Sequence, residues 1–184
     1  MLLHLINEDG PPRRPRGRDA LRDLTDRRTV SLDLYLSRDH RVPIMNAVSW
    51  GDFCELDARL SFHVAERITG RLCYLATIRS DGHPRVHPVG LNIRGAQLIV
   101  PMSPTSPKGR DLRRSGKYAA HCAVEDNNGG QGEVLLTGMA TECDAAEEFA
   151  SRGWITFDLS IGEVLSVLND GSGPVAKRWR ASAS

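Results

Sequence analysis

Residues 72–116 read LCYLATIRSDGHPRVHPVGLNIRGAQLIVPMSPTSPKGRDLRRSG, and this stretch decides the fold. Apolar runs are broken by Asp81-Gly82 and by Arg94-Gly95, so it parses as strand, turn, strand, turn, strand. Pro104 and Pro107 cannot donate to a ladder, which ends the third strand near Met102. Ser106 is placed to cap a helix whose first residue is Pro107, where a missing N–H costs nothing. Free N–H groups, the positive end of the helix dipole, the hydroxyls of Ser103, Thr105 and Ser106, and Lys108 converge there on the place an anion would occupy. A phosphate monoester, with about −1.5 to −2 charges at pH 7, suits such a site. The competing reading is a solvated basic helix running through Arg110, Arg113 and Arg114.

The strand before the turn carries Pro84-Arg85-Val86-His87-Pro88-Val89. Alternation puts Arg85, His87 and Val89 on one face and Val86 and Pro88 on the other. An arginine on a strand beside the turn would complete the anion site; otherwise it is a surface arginine. His83 and His87 do not make a metal site, because four residues of strand hold them about 13 Å apart. His121, within AAHCAV, reads as a hydrogen-bonded core residue. Asn127 to Gly132 is glycine-rich but precedes a strand, so it reads as a hairpin loop and not as a nucleotide cradle. No G-x-S-x-G elbow is present, and the sequence shows no recognisable nucleophile–base pair.

Outward from this stretch, Ser49-Trp50-Gly51-Asp52 opens a helix with a variant capping box. Phe53, Leu56, Leu60, Val64 and Ile68 recur along it at three- and four-residue steps, and Thr69-Gly70 ends it. Strands are expected over about 72–79, 85–92, 96–102, 117–124 and 133–141, then 155–168 and 174–179. A helix is expected over 144–152. The chain is mainly β with flanking helices, and closure into a barrel would remove exposed edges.

Residues 1–48 differ from the rest. Pro11, Pro12 and Pro15 alternate with Arg13, Arg14, Arg16 and Arg18, and the segment reads as a flexible extension ahead of a folded domain over 49–184. Nine arginines there face seven acidic residues, an excess of only about two positive charges with the signs interspersed. The whole chain of 184 residues has a formal charge of +1, which argues against a dedicated nucleic-acid binder. No apolar run reaches the length of a membrane span, and MLLHLINEDG lacks the features of a signal peptide. Cys54, Cys73, Cys122 and Cys143 have no metal spacing and read as free thiols in a reducing cytoplasm.

LATIRSDGHPRVHPVG, the RG turn, a third strand and SPKGRDLRRSGKYAAHC follow one another in this order. Together they closely resemble the pyridoxamine 5′-phosphate oxidase-like superfamily of FMN-binding split β-barrels, in its actinobacterial-type members of unassigned substrate. The resemblance spans roughly residues 49–180. It implies a six-stranded antiparallel split β-barrel and a homodimer with flavin in the cleft between subunits. It also implies a cofactor, FMN or alternatively the deazaflavin F420, bound through Arg85, Val86, His87, Pro88, Val89, Ser103, Thr105, Ser106 and Lys108, with Gln131 near the ring. Arg110, Arg113 or Arg114 would reach the acidic tail of F420. The chain ends VAKRWRASAS without the RLxP-type segment of pyridoxamine phosphate oxidases, so that particular activity is not expected. The function implied is a flavin- or deazaflavin-dependent oxidoreductase acting on a small molecule. The alternative is a non-catalytic flavin- or haem-binding sensor or carrier.

Overall fold

Ser49 caps α1 (Trp50–Leu56) as the sequence predicts. Its hydroxyl accepts the Asp52 N–H at 3.1 Å, and the Asp52 carboxylate in turn accepts from Ser49. The helix does not run on to Ile68. Asp57 leaves helical geometry (φ −148°, ψ 79°) and caps a second helix, α2 (Ala58–Ile68), by accepting the Leu60 N–H at 2.9 Å. A short acidic side chain bonds a nearby backbone N–H better outside a helix than within one, so the break falls there. The predicted stripe survives with one loss. Phe53, Leu60, Val64 and Ile68 are buried, but Leu56 at the break is 63 % exposed.

The structure, a computed structural model, describes residues 46–124, 132–169 and 173–182. They belong to the second of two compact units, Pro43–Ser184. The chain pairs with the sheet as early as Val48, which exchanges both backbone hydrogen bonds with Ile161 at 3.0 and 2.7 Å.

The sheet is antiparallel and open, in the order β2-β1-β5-β6-β7-β4-β3, with β8 added to β7. Its strands are β1 (Leu72–Ile78), β2 (Pro84–Gly90), β3 (Asn92–Arg94), β4 (Gln97–Met102), β5 (Lys117–Cys122), β6 (Glu133–Cys143), β7 (Ile155–Asn169) and β8 (Pro174–Arg180). Two helices interrupt them, α3 (Pro107–Ser115) and the four-residue α4 (Glu147–Ala150), shorter than the helix expected over 144–152. The six strands of a split barrel are present; the three-residue β3 and the appended β8 raise the count to eight.

The sequence predicts one strand over 85–92, whereas the chain changes partners within it. β2 pairs with β1 as far as Gly90, and from Asn92 the chain pairs with β4 at the opposite end of the strand order. Leu91, buried in the core, makes this crossing. Alternation cannot reveal such an exchange, because both pieces are extended and run on without a turn residue between them.

The core fills the space between the sheet and the two N-terminal helices. Phe53 meets Trp179 of β8 edge-on at 4.8 Å and Trp50 at 5.7 Å, geometries that add about 0.5–1.5 kcal/mol per pair beyond burial. β6 and β7 lie close together at Gly138, beside a register shift. A Cβ there would lie 1.9 Å from the Ser160 carbonyl oxygen, so only glycine fits without moving a strand. Tyr118 donates to that same oxygen at 3.1 Å, and the Ser160 hydroxyl donates to Met139 O at 3.0 Å. Gly138→Ala should therefore cost about 3 kcal/mol or more, the upper end of overpacking, read as a fall in the urea unfolding midpoint.

Candidate functional site

The turn after β4 is built as the sequence predicts. Ser106 N–H donates to Ser103 O at 2.9 Å, and the hydroxyls of Ser103 and Thr105 lie 3.0 Å apart. Ser106 is the N-cap of α3 with Pro107 in the first turn, but its side chain makes no capping bond. The first-turn N–H groups of Lys108 and Gly109 are consequently left without an intrahelical acceptor. Gly109 is buried, and a Cβ there would meet Met102 Sδ at 3.2 Å and Ile155 Cδ1 at 3.3 Å. The missing side chain lets the helix start lie tightly on β4 and β7.

A cleft of about 410 Å³ opens beside this helix start, lined by Pro88, Val89 and Gly90 of β2, Met102 and Ser103 at the end of β4, Lys108, and the aromatic pair Phe149 and Trp154. The two rings are stacked (centroids 6.3 Å apart, planes 3° apart), and the Arg152 guanidinium lies 5.6 Å from the Trp154 ring centroid. That volume lies within the ~300–1,000 Å³ usual for small-molecule sites. Lys108 makes no hydrogen bond or ion pair among the described residues, and partial burial pushes its ammonium below the ordinary lysine value. A half-buried cation with no counter-ion, beside uncapped N–H groups, is an arrangement that an anion would complete.

The cleft gathers some of the sequence candidates, whereas Arg85, Val86, His87, Thr105 and Ser106 are not among its lining residues. Pro88, Val89, Ser103 and Lys108 come together on its wall. Alternation along β2 holds: Arg85, His87 and Val89 are at least partly buried, while Val86 is 59 % exposed on the other face. Thr105 and Ser106 form the turn itself. Gln131 lies outside the described residues. Four contributors to the neighbourhood carry no obvious signal in the sequence: Met102, Phe149, Trp154 and Asp111. The aromatic pair is nearly fifty residues from the turn in sequence, and no local pattern connects the two.

Arg85 is held from below. Its Nε donates to Asp111 Oδ2 at 2.7 Å, the same oxygen that accepts from Thr77 Oγ1 at 3.0 Å. Burial alone would raise the Asp111 pKa. The hydrogen bonds from Arg85 and Thr77, with the charges of Arg85 and Arg114, outweigh it and hold the carboxyl below the ordinary aspartate value. The three helix arginines are also committed within the chain. Arg110 donates to Thr105 O at 2.8 Å, Arg113 grips Glu142 through two bonds of 2.6 and 2.7 Å, and Arg114 donates to Ile78 O. Among the described residues no cluster of His, Cys, Asp and Glu could hold a metal ion, and no helix is long and apolar enough to cross a membrane.

No family model matches the chain, and no curated protein matches it in sequence. Solved structures do match it in fold. One is a pyridoxamine 5′-phosphate oxidase-related, FMN-binding protein from Nostoc punctiforme, with a TM-score of 0.54 and 11 % identity over 68 % of this chain and 91 % of that one. Another is a haem-binding protein from Mycobacterium smegmatis, with a TM-score of 0.51 and 17 % identity over 64 % of this chain. The present chain spans 55 % of that protein's length. A third is a NimC/NimA family protein from Clostridium acetobutylicum, with a TM-score of 0.50 and 17 % identity over 66 % of this chain and 91 % of that one. The chain therefore has the split β-barrel fold found in pyridoxamine 5′-phosphate oxidase-like proteins.

A carboxylate whose pKa is depressed by folding stabilises the protein above its unfolded pKa, and that contribution is lost as pH falls through the folded value. Asp111→Asn should lower the thermal midpoint at pH 7 and narrow the gap between midpoints at pH 7 and near pH 3, measured by circular dichroism.

Proposed function

We propose that the chain binds FMN in this cleft and is an FMN-dependent oxidoreductase acting on a small organic molecule, with the cleft completed by a second copy of the chain. The observation that carries the reading is Lys108, a partly buried cation without a counter-ion among the described residues, at the uncapped start of α3. The phosphate would be held by Lys108, the N–H groups of the first helical turn and the hydroxyls of Ser103 and Thr105, with Arg85 alongside. Pro88, Val89, Met102 and the Phe149–Trp154 stack would line the ring and exclude water from it. When bound there, a flavin supplies the redox chemistry, and the protein's part is binding, orientation and electrostatics.

FMN is favoured over F420 by the state of the helix arginines. The acidic tail of F420 needs cations free to receive it, whereas Arg113 and Arg114 are tied to Glu142 and to Ile78 O, and Arg110 is folded back onto Thr105 O. A terminal phosphate monoester asks only for the Lys108 corner.

The second copy is argued from the β1–β2 face. Leu72, Tyr74 and Ile78 of β1 and Val86 of β2 are exposed on one side of the sheet, where Tyr74 stands opposite Pro88 and Ile78 opposite Pro84. A contiguous apolar face of this kind marks an association surface. It lies on the same strand as the cleft wall, so a partner seated on it would bring its own residues to the cofactor.

Absorbance and fluorescence titration of the purified chain with FMN and F420 tests the cofactor. Saturable FMN binding is expected, weakened about tenfold or more in Lys108→Ala by loss of a charge-assisted contact. Binding of F420 alone, or a Soret band with no flavin binding, would sink the FMN assignment. Turnover of bound FMN with an electron donor and an acceptor separates an enzyme from a non-catalytic carrier. Sedimentation should give a dimer, and Val86→Asp should convert it to monomer; a wild-type monomer would remove the shared-cleft element.

A further inference from the structure

One carboxylate in the basic helix α3 faces inward. Asp111 is 4 % exposed, enclosed between α3 and the β1–β2 pair. Its Oδ2 accepts from Thr77 Oγ1 at 3.0 Å and from Arg85 Nε at 2.7 Å, and Arg114 Nη1 lies 3.7 Å from its Oδ1. This geometry has a specific consequence for Arg85. The guanidinium is gripped through Nε alone, and its two Nη groups make no hydrogen bond among the described residues. A guanidinium offers five N–H donors in a rigid fork, so four remain for an outside acceptor. Arg85 remains about a quarter exposed, at 26 % of its side chain. Lys108 precedes Asp111 by three residues, which places both on one side of the helix.

We propose that Asp111 is the positioning residue of the anion site: by holding Arg85 through Nε and tying α3 to β2, it sets the Nη edge of Arg85 beside Lys108 as a second phosphate donor. The inference rests on the reading of the cleft as a phosphate site. It carries a sign opposite to that of simple charge. Asp111 as a mere negative charge near an anion would weaken binding, so its removal would tighten it. Asp111 as a positioning group makes removal costly, because the fork loses the orientation that lets it bind a phosphate through two parallel bonds. A purely structural role would be indifferent to the phosphate and would affect any flavin equally.

The experiment compares FMN with riboflavin, which shares the ring and lacks the phosphate, by fluorescence titration of the full chain. Asp111→Asn should weaken FMN about tenfold, the equivalent of one charge-assisted hydrogen bond, and change riboflavin by less than about twofold. In an Arg85→Ala background, Asp111→Asn should cause no further loss, since the group it positions is gone. Tighter or unchanged FMN binding, or equal losses for both flavins, would overturn the proposal. Arg85→Lys keeps the charge on a partly exposed strand but lacks the Nε donor and the fork. It provides the same FMN-selective comparison if Asp111→Asn does not fold, and unchanged FMN affinity there also overturns the proposal. If the wild-type chain binds neither flavin, the cofactor reading fails by itself, and inorganic phosphate then decides for Asp111. A phosphate-dependent rise in the wild-type thermal midpoint that disappears in Arg85→Lys supports the positioning role; no rise in the wild type overturns it.

Discussion

A strand of fifteen residues has to serve three neighbours, and the fold depends on how β7 does so. Along one edge it pairs with β6 from Thr156 to Val167, while the other edge is given first to β4 and then to β8, with Val48 bonded to Ile161 between them. Such a strand cannot stay flat. The register shift at Thr137/Gly138 supplies the bend, and the absence of a side chain at Gly138 lets the β6 backbone sit against the Ser160 carbonyl. A bulge both bends a strand and increases its twist, which is what turns an open sheet toward a barrel. The position of β4 follows from that bend. So do the turn at its end and the helix that begins with Pro107. The start of α3 is therefore placed in part by backbone packing some distance away, in addition to its own contacts with β4 and β7.

Much of this architecture was legible in the residues. Strand ends near Ile78 and Met102, the Gly82 and Gly95 turns, and the Ser106–Pro107 helix start all follow from residues with few conformational options. The departures share a cause: each is a change of partner within an apparently continuous pattern. Asp57 splits one helical stripe into two helices, and Leu91 moves the chain from one end of the sheet to the other. Periodicity records which side of the chain is apolar, and it does not record what that side packs against.

At the site the same limit is sharper. Lys108, Ser103, Pro88 and Val89 were visible because two short, proline-marked segments carry them. Asp111 was not, since an acidic residue amid four basic ones in KGRDLRR looks like solvated charge balance until burial is known. Arg85 was found, but its attachment to Asp111 links positions twenty-six apart and has no local signature. The three helix arginines show the same limit from the other side. The resemblance implies that Arg110, Arg113 or Arg114 would reach the acidic tail of F420, and the structure adds that Arg113 makes two bonds to Glu142 within the fold. Counting charges overstates what a surface can bind unless the internal partners are known.

Gly109 has a consequence for binding as well as for packing. With Met102 and Ile155 only 3.2 and 3.3 Å from where its Cβ would be, a side chain at this position would crowd the first turn of α3 against the sheet. Because α3 is part of the folded chain, its first-turn N–H groups are arranged before any ligand arrives. The conformational entropy of arranging them is lost once, when the chain folds, instead of at every encounter. In the proposed site, two small backbone dipoles and one lysine would then act on an anion with an effect that a floppy loop of the same composition would not match.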